Sequence, residues 1–212
     1  MFEFQVVRNV IGRELLQHLA VEFEITADVI RHFFARTDFG DQQSPNSFSM
    51  YSPLCFEALL PKLNYLMNEV VGKKLEPAAS YARIYYNDAI LEKHVDRECA
   101  EYSTTICIDS TDLWNFYIED SVGKTHEILL EPGDMCVYRG DKLTHWREPY
   151  KGEKQIQCFL HYVDPEGPNK EFILDRRPLL GLNKNQIFQE MFRYLYMDVK
   201  DIKPMLSLHN PS

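Results

Sequence analysis

The 212-residue sequence predicts an α+β fold: helices over residues 1–76, a β core over 77–163, and a C-terminal extension over 164–212 that carries one further helix. Three observations lead there. Apolar residues recur at helical spacing before Gly72. After Pro77 the pattern changes to short segments rich in β-branched and aromatic residues. And 45% hydrophobic residues, 13% of the chain aromatic, suffice to bury one sizeable core without covalent staples.

Taken in order, residues 4–10 are apolar and β-branched and read as a short strand. Leu15, Leu16, Leu19 and Phe23 then line one face of a helix over 12–23. Thr26 has the chemistry of an N-cap and predicts a second helix running to about residue 37. The stretch 39–49, with Gly40, Pro45 and Asn46, predicts a loop and a candidate lid. Leu59, Leu60, Leu63 and Leu66 predict a third helix over 53–71, stopped by Gly72. Strands are expected over 81–86, 103–109, 113–119, 125–130, 135–138, 143–147 and 155–163, with DSVGK (120–124) as a hairpin turn. Seven short strands at this spacing indicate a barrel or sandwich. Residues 185–197 read as the last helix.

Twenty-three basic against 32 acidic residues give a net charge of −9, which argues against nucleic acid or an anionic membrane as partner. By the same weak argument the substrate should be neutral or basic. Five cysteines without CxxC spacing fit reduced thiols, and no apolar run reaches the roughly 18 residues of a membrane span, so a cytoplasmic location is expected.

The chemistry concentrates in His94-Val95-Asp96 and His145. On an extended backbone residues i and i+2 share a face, so His94 and Asp96 can hold one ion together. His145, on a later strand, can supply a third ligand from across the barrel. Two imidazoles and a carboxylate on one face leave coordination positions open, the arrangement suited to non-haem Fe(II).

The stretches YARIYYNDAILEKHVDRECAEYS, EPGDMCVYRG and THWREPYKGEKQIQCFLHYV resemble the catalytic core of 2-oxoglutarate- and Fe(II)-dependent dioxygenases of the prolyl 4-hydroxylase type. The resemblance implies a double-stranded β-helix core (jelly-roll, cupin-like) with supporting helices. It implies Fe(II) on His94, Asp96 and His145, 2-oxoglutarate as cosubstrate, ascorbate as an optional reductant, and hydroxylation of a small molecule, free amino acid or peptidyl residue. It also implies a cosubstrate-lining role for Tyr85. The cosubstrate's distal carboxylate needs a buried cation. Lys154 stands nine residues after His145, where the family often places it. Arg147 shares the face of His145 at i+2, and Arg83 is a third candidate. The rival reading is a cupin-like metal- or ligand-binding protein without oxygenase activity, in which an interior cation has no evident purpose.

Overall fold

The structure, a computed structural model, describes residues 2–34 and 43–176. Among the described residues ten strands form two antiparallel sheets. The larger has the order β1-β8-β5-β10-β3-β2, with β1 Phe4–Val7, β2 Ser47–Tyr51, β3 Glu76–Tyr86, β5 Tyr102–Ser110, β8 Met135–Tyr138 and β10 Lys154–Val163. The smaller has the order β4-β9-β6-β7, with β4 Leu91–His94, β6 Phe116–Glu119, β7 Thr125–Ile128 and β9 His145–Arg147. This is the jelly-roll core expected from the sequence.

The larger sheet has two chemically distinct faces, and strict alternation along each strand produces them. Ile156, Cys158 and Leu160 of β10, with Ala82 and Ile84 of β3, join Leu19 and Phe23 of helix α1 (Arg13–Phe34) and Leu60, Leu63 and Met67 of helix α3 (Leu59–Val71) in one aliphatic cluster. Each buried Leu, Ile, Phe or Met there contributes about 1.5–3 kcal/mol, and this outer face fixes the helices on the sheet. The inner face takes the intervening residues and is polar and aromatic. Gln157 there accepts a 3.0 Å bond from Thr105 Oγ1, and Gln155 Nε2 donates to Cys107 Sγ at 3.6 Å. The sheet therefore keeps its aliphatic side for the helices and its polar side for the barrel interior.

Several elements differ from expectation. α1 is one continuous helix: Thr26 does not cap a second one but donates its Oγ1 hydrogen to the Glu22 carbonyl four residues back. Part of the expected 39–49 loop, from Ser47, is edge strand β2, hydrogen-bonded in register with β3. β4 was not foreseen, and β3 begins five residues earlier than predicted. Pro77 fits in it because the β10 register shifts between His161 and Tyr162, opposite that end of β3. The third helix begins with a separate short turn, α2 (Leu54–Glu57), and ends as expected at Gly72, whose φ of 77° only glycine adopts easily. The DSVGK hairpin is present, Asp120 Oδ1 accepting the amides of Val122 and Lys124. All five cysteines are unbridged. Among the described residues no helix is long and apolar enough to cross a membrane. Residues 39–42 of the expected lid and the expected helix 185–197 lie outside the described residues.

Candidate active site

β4 and β9 are antiparallel neighbours with His94 opposite His145. This register places the two imidazoles together, ring centroids 4.2 Å apart. Asp96 follows β4 directly, and its amide donates to the Gly140 carbonyl at 2.8 Å. Asp96 Oδ1 lies 3.5 Å from Nε2 of each histidine, and one ligand atom from each of the three residues falls within 4.8 Å of the others. Each histidine is oriented from behind. His94 Nδ1 bonds the Glu92 carbonyl at 2.8 Å and His145 Nδ1 the Leu143 carbonyl at 2.9 Å, so both Nε2 atoms face Asp96. Carbonyl partners fix protonated Nδ1 and leave Nε2 as a free lone pair, the tautomer a metal needs. Two imidazole nitrogens and one carboxylate oxygen suit a borderline divalent ion such as Fe(II), and the three residues fit it.

Asp96 Oδ2, the oxygen turned away from the histidines, accepts a 3.0 Å bond from Ser103 Oγ, which in turn lies 3.0 Å from His161 Nδ1. Before a metal binds, when the histidine Nε2 atoms carry protons, burial pushes the Asp96 carboxyl toward protonation, but His145 and hydrogen bonds from both histidines outweigh it and hold its pKa well below the usual carboxylate range. His161 is pushed down to about 4, chiefly by burial, and stays neutral. Gly140 completes the arrangement: a Cβ there would overlap Asp96 Oδ2 and Ser103 Oγ and come within 2.6 Å of the Ala100 carbonyl oxygen. Ser103, His161 and Gly140 as supports of the carboxylate escaped sequence reasoning. Only the inward parity of Ser103 and His161 on their strands could have indicated them.

The candidate cations separate cleanly. Arg147 is 2% exposed and shares the interior face of His145. Its guanidinium lies over the Trp114 ring at 4.8 Å and the Phe116 ring at 5.4 Å, and Nη1 donates to the Trp114 carbonyl at 3.0 Å. Nε and Nη2 are buried and have no hydrogen-bond partner among the described residues. Burial also lowers its pKa, with the Tyr85 and Tyr138 hydroxyls among the groups that oppose the shift. Two unpaired buried donors of a cation cost several kcal/mol together, and a carboxylate is the group that satisfies them as a pair. Gln155 Oε1 and Gln157 Nε2, also on the interior face, are likewise buried and unsatisfied. Lys154 faces the other way. It pairs with Tyr86 on the outer side of the sheet, and its ammonium meets Glu24 of α1 and, at 3.8 Å, Asp109. The inward position on β10 belongs to the next residue, Gln155, so the residue nine after His145 stands on the outer side of the sheet. Tyr85 is fully buried, edge-on to Trp114, and Arg83 lines the cavity beside the metal triad.

Trp146 packs outside, stacked on Tyr117 with Lys93 above it. Trp114 and Phe116 are core residues, and Cys99 is a buried thiol whose pKa burial raises. Glu101 faces Arg139 at 3.8 Å. His126 Nε2 lies 2.7 Å from Asp120 Oδ2.

No protein-family profile matches the chain, and no curated protein matches it in sequence. Solved structures do match. A Pseudomonas putida prolyl-4-hydroxylase superposes with a TM-score of 0.56 at 13% identity, over 76% of this chain and 91% of that one. HygX from Streptomyces hygroscopicus, with nickel, 2-oxoglutarate and hygromycin B bound, gives 0.58 at 13% over 77% and 84%. The fold is that of the 2-oxoglutarate-dependent oxygenases. The epimerase SnoN, in complex with Fe3+, alpha ketoglutarate and nogalamycin RO, gives 0.60 at 11% over 85% and 88%, so one fold carries more than one outcome of this oxidative chemistry.

Proposed function

We propose that this chain is a non-haem Fe(II)- and 2-oxoglutarate-dependent oxygenase that hydroxylates an unactivated C–H bond of a small molecule. The overall change is RH + O2 + 2-oxoglutarate → ROH + succinate + CO2. The observation that carries the reading is a pairing inside one barrel: a three-ligand His-Asp-His site open on one side, and a buried guanidinium with two unsatisfied donors. A metal- or ligand-binding protein without turnover has no use for the second feature.

In this reading His94, Asp96 and His145 hold the iron through Nε2, Oδ1 and Nε2. Bound iron supplies dioxygen activation, with 2-oxoglutarate as the two-electron co-reductant. Arg147 holds the cosubstrate's distal carboxylate through Nε and Nη2, and Tyr85 and Tyr138 flank it. Ser103 keeps the second Asp96 oxygen occupied, so that the carboxylate presents Oδ1 alone. Phe116, Tyr138 and Phe159 keep bulk water from the reacting centre. Among structures with the same fold, HygX holds hygromycin B and SnoN holds nogalamycin RO, which favours a free small molecule for a chain whose described cavity is compact.

The test is succinate formation from 2-oxoglutarate by the Fe(II)-loaded protein, stimulated by candidate substrates, with mass spectrometry of the product. A gain of one oxygen supports hydroxylation. Loss of two hydrogens, or an unchanged mass with inverted configuration, assigns desaturation or epimerisation to the same site. Absence of succinate under every condition returns the protein to the ligand-binding reading.

A further inference from the structure

We propose that the substrate is a small hydroxyl-bearing molecule that donates an O–H hydrogen bond to Nε2 of His161; this rests on the oxygenase reading above and names the substrate class of that site. Beside the metal triad lies a cavity of about 270 Å³, whose wall includes Tyr51, His94, Asp96 and His161. A smaller cavity of about 70 Å³, lined by Tyr85, Tyr138 and His145, also has His161 in its wall. The imidazole of His161 borders both.

The direction of the protons around Ser103 fixes what His161 offers. Ser103 Oγ has three polar neighbours: Asp96 Oδ2 at 3.0 Å, the Ala100 carbonyl at 3.1 Å and His161 Nδ1 at 3.0 Å. An ionised carboxylate and a carbonyl only accept. The serine has one proton and gives it to one of them, so the bond between Oγ and Nδ1 needs its proton from the imidazole. A neutral imidazole carries one ring proton, which leaves Nε2 as a lone pair, an acceptor and nothing else. Burial keeps the ring uncharged. The contact with Ser103 is the one side-chain hydrogen bond of His161 among the described residues. The two edges of the ring thus have two tasks: Nδ1 steadies Asp96 through Ser103, and Nε2 brings an unused acceptor to the cavities.

A second unused group stands on the same wall. The Tyr51 hydroxyl is buried and has no hydrogen-bond partner among the described residues. An alcohol has the chemistry that serves both groups: an O–H to donate to His161, and an oxygen lone pair to take the Tyr51 proton. A carboxylate or an ether has no proton for Nε2, and an ammonium has no lone pair for Tyr51. Leaving a buried acceptor unmade is costly, so His161 discriminates against molecules that fill the cavity without a donor. A volume near 270 Å³ suits a compact molecule rather than a folded polypeptide segment.

The two edges of His161 can be removed one at a time. An asparagine amide takes the place of the Nδ1 edge, and a glutamine amide reaches the place of Nε2. The experiment uses the full chain with Fe(II) and 2-oxoglutarate under anaerobic conditions and follows the visible charge-transfer band of the loaded site. The probes are benzyl alcohol and benzyl methyl ether, cyclohexanol and methoxycyclohexane, and benzylamine and benzoate. The proposal expects each alcohol to shift the band at a concentration about tenfold or more below that of its ether. His161→Asn should raise the alcohol concentration required about tenfold while iron affinity is kept. His161→Gln should do the reverse, weakening iron binding more than the alcohol response. Tyr51→Phe should raise the alcohol requirement about threefold or more. All three variants should still form the band at saturating iron, which also shows that they fold. Equal response to alcohols and ethers, or no response to any alcohol, overturns the proposal. So does a stronger response to benzylamine or benzoate than to benzyl alcohol, which would assign a charged substrate. Parallel loss of iron and alcohol binding in both His161 variants would reduce His161 to a support of Asp96 and overturn it as well. Absence of the band in the unaltered protein would overturn the oxygenase reading itself.

Discussion

Gly140 and Asp96 are in direct backbone contact, the Asp96 amide donating to the Gly140 carbonyl at 2.8 Å, and the missing side chain of Gly140 is the space the Asp96 carboxylate occupies. Replacing Gly140 with alanine should therefore act on the metal site although residue 140 cannot ligate. We expect Gly140→Ala to weaken divalent-metal binding by at least tenfold and to cost about 1–3 kcal/mol of stability through overpacking. Metal titration and chemical denaturation measure the two effects separately; full metal affinity in Gly140→Ala would refute the packing argument.

Ser103 acts on the same carboxylate from its other side. Ser103→Ala removes one hydrogen bond to Asp96 Oδ2 and leaves His161 Nδ1 without its partner. Metal affinity should fall about tenfold, with a smaller loss for Ser103→Thr if the hydroxyl keeps its place. A calorimetric titration with Ni(II) in place of the air-sensitive ion reads this without turnover.

Arg147 and Lys154 make opposite predictions. Arg147→Met should raise the 2-oxoglutarate concentration needed for half-saturation a hundredfold or more, since removing one partner of a buried charge pair costs on the order of 3–5 kcal/mol. Lys154→Met removes only a partly exposed ion pair with Glu24 and Asp109, so the cosubstrate requirement should not change and stability should drop by about 1 kcal/mol or less. The reverse pattern would place the cosubstrate's carboxylate on the outer side of β10.

His161 gives a pH dependence of defined sign. Its folded pKa, about 4, lies below the ordinary 6.5 because burial disfavours the charged ring. The unfolded chain thus binds the proton more readily between those values, and folding stability falls as pH drops from about 6.5 toward 4. Urea melts of the metal-free protein at pH 7 and pH 5 should show a loss of about 2 kcal/mol that is smaller in His161→Gln. Equal pH sensitivity in both proteins would show that His161 does not carry it.

The sequence displays β10 most openly: QIQCFLHYV alternates so regularly that both faces can be read from it. What it conceals is which face is the interior. Amphipathic strands usually turn polar residues to water, but here Gln155, Gln157 and His161 face the barrel while Ile156, Cys158 and Leu160 face the helices. That inversion decides Gln155 over Lys154. The triad was legible because i, i+2 spacing survives any uncertainty in strand ends, whereas Ser103 and Gly140 depend on contacts between residues far apart in the chain. β2 stayed hidden because SFSMY follows Ser44, Pro45 and Asn46, whose composition is that of a loop; an edge strand needs only one partner, and β3 provides it. The helix break expected at Thr26 fails because a threonine hydroxyl satisfies itself on the carbonyl four residues back as readily as it caps.

The central claim, that His94, Asp96, His145 and Arg147 form one site for Fe(II) and 2-oxoglutarate, is tested most directly by anaerobic titration of 2-oxoglutarate into the Fe(II)-loaded protein. The account predicts a saturable visible charge-transfer band at one cosubstrate per chain, absent in His145→Ala and displaced to about hundredfold higher concentration in Arg147→Met. A band of unaltered strength and midpoint in both variants, or none in the unaltered protein, would contradict it.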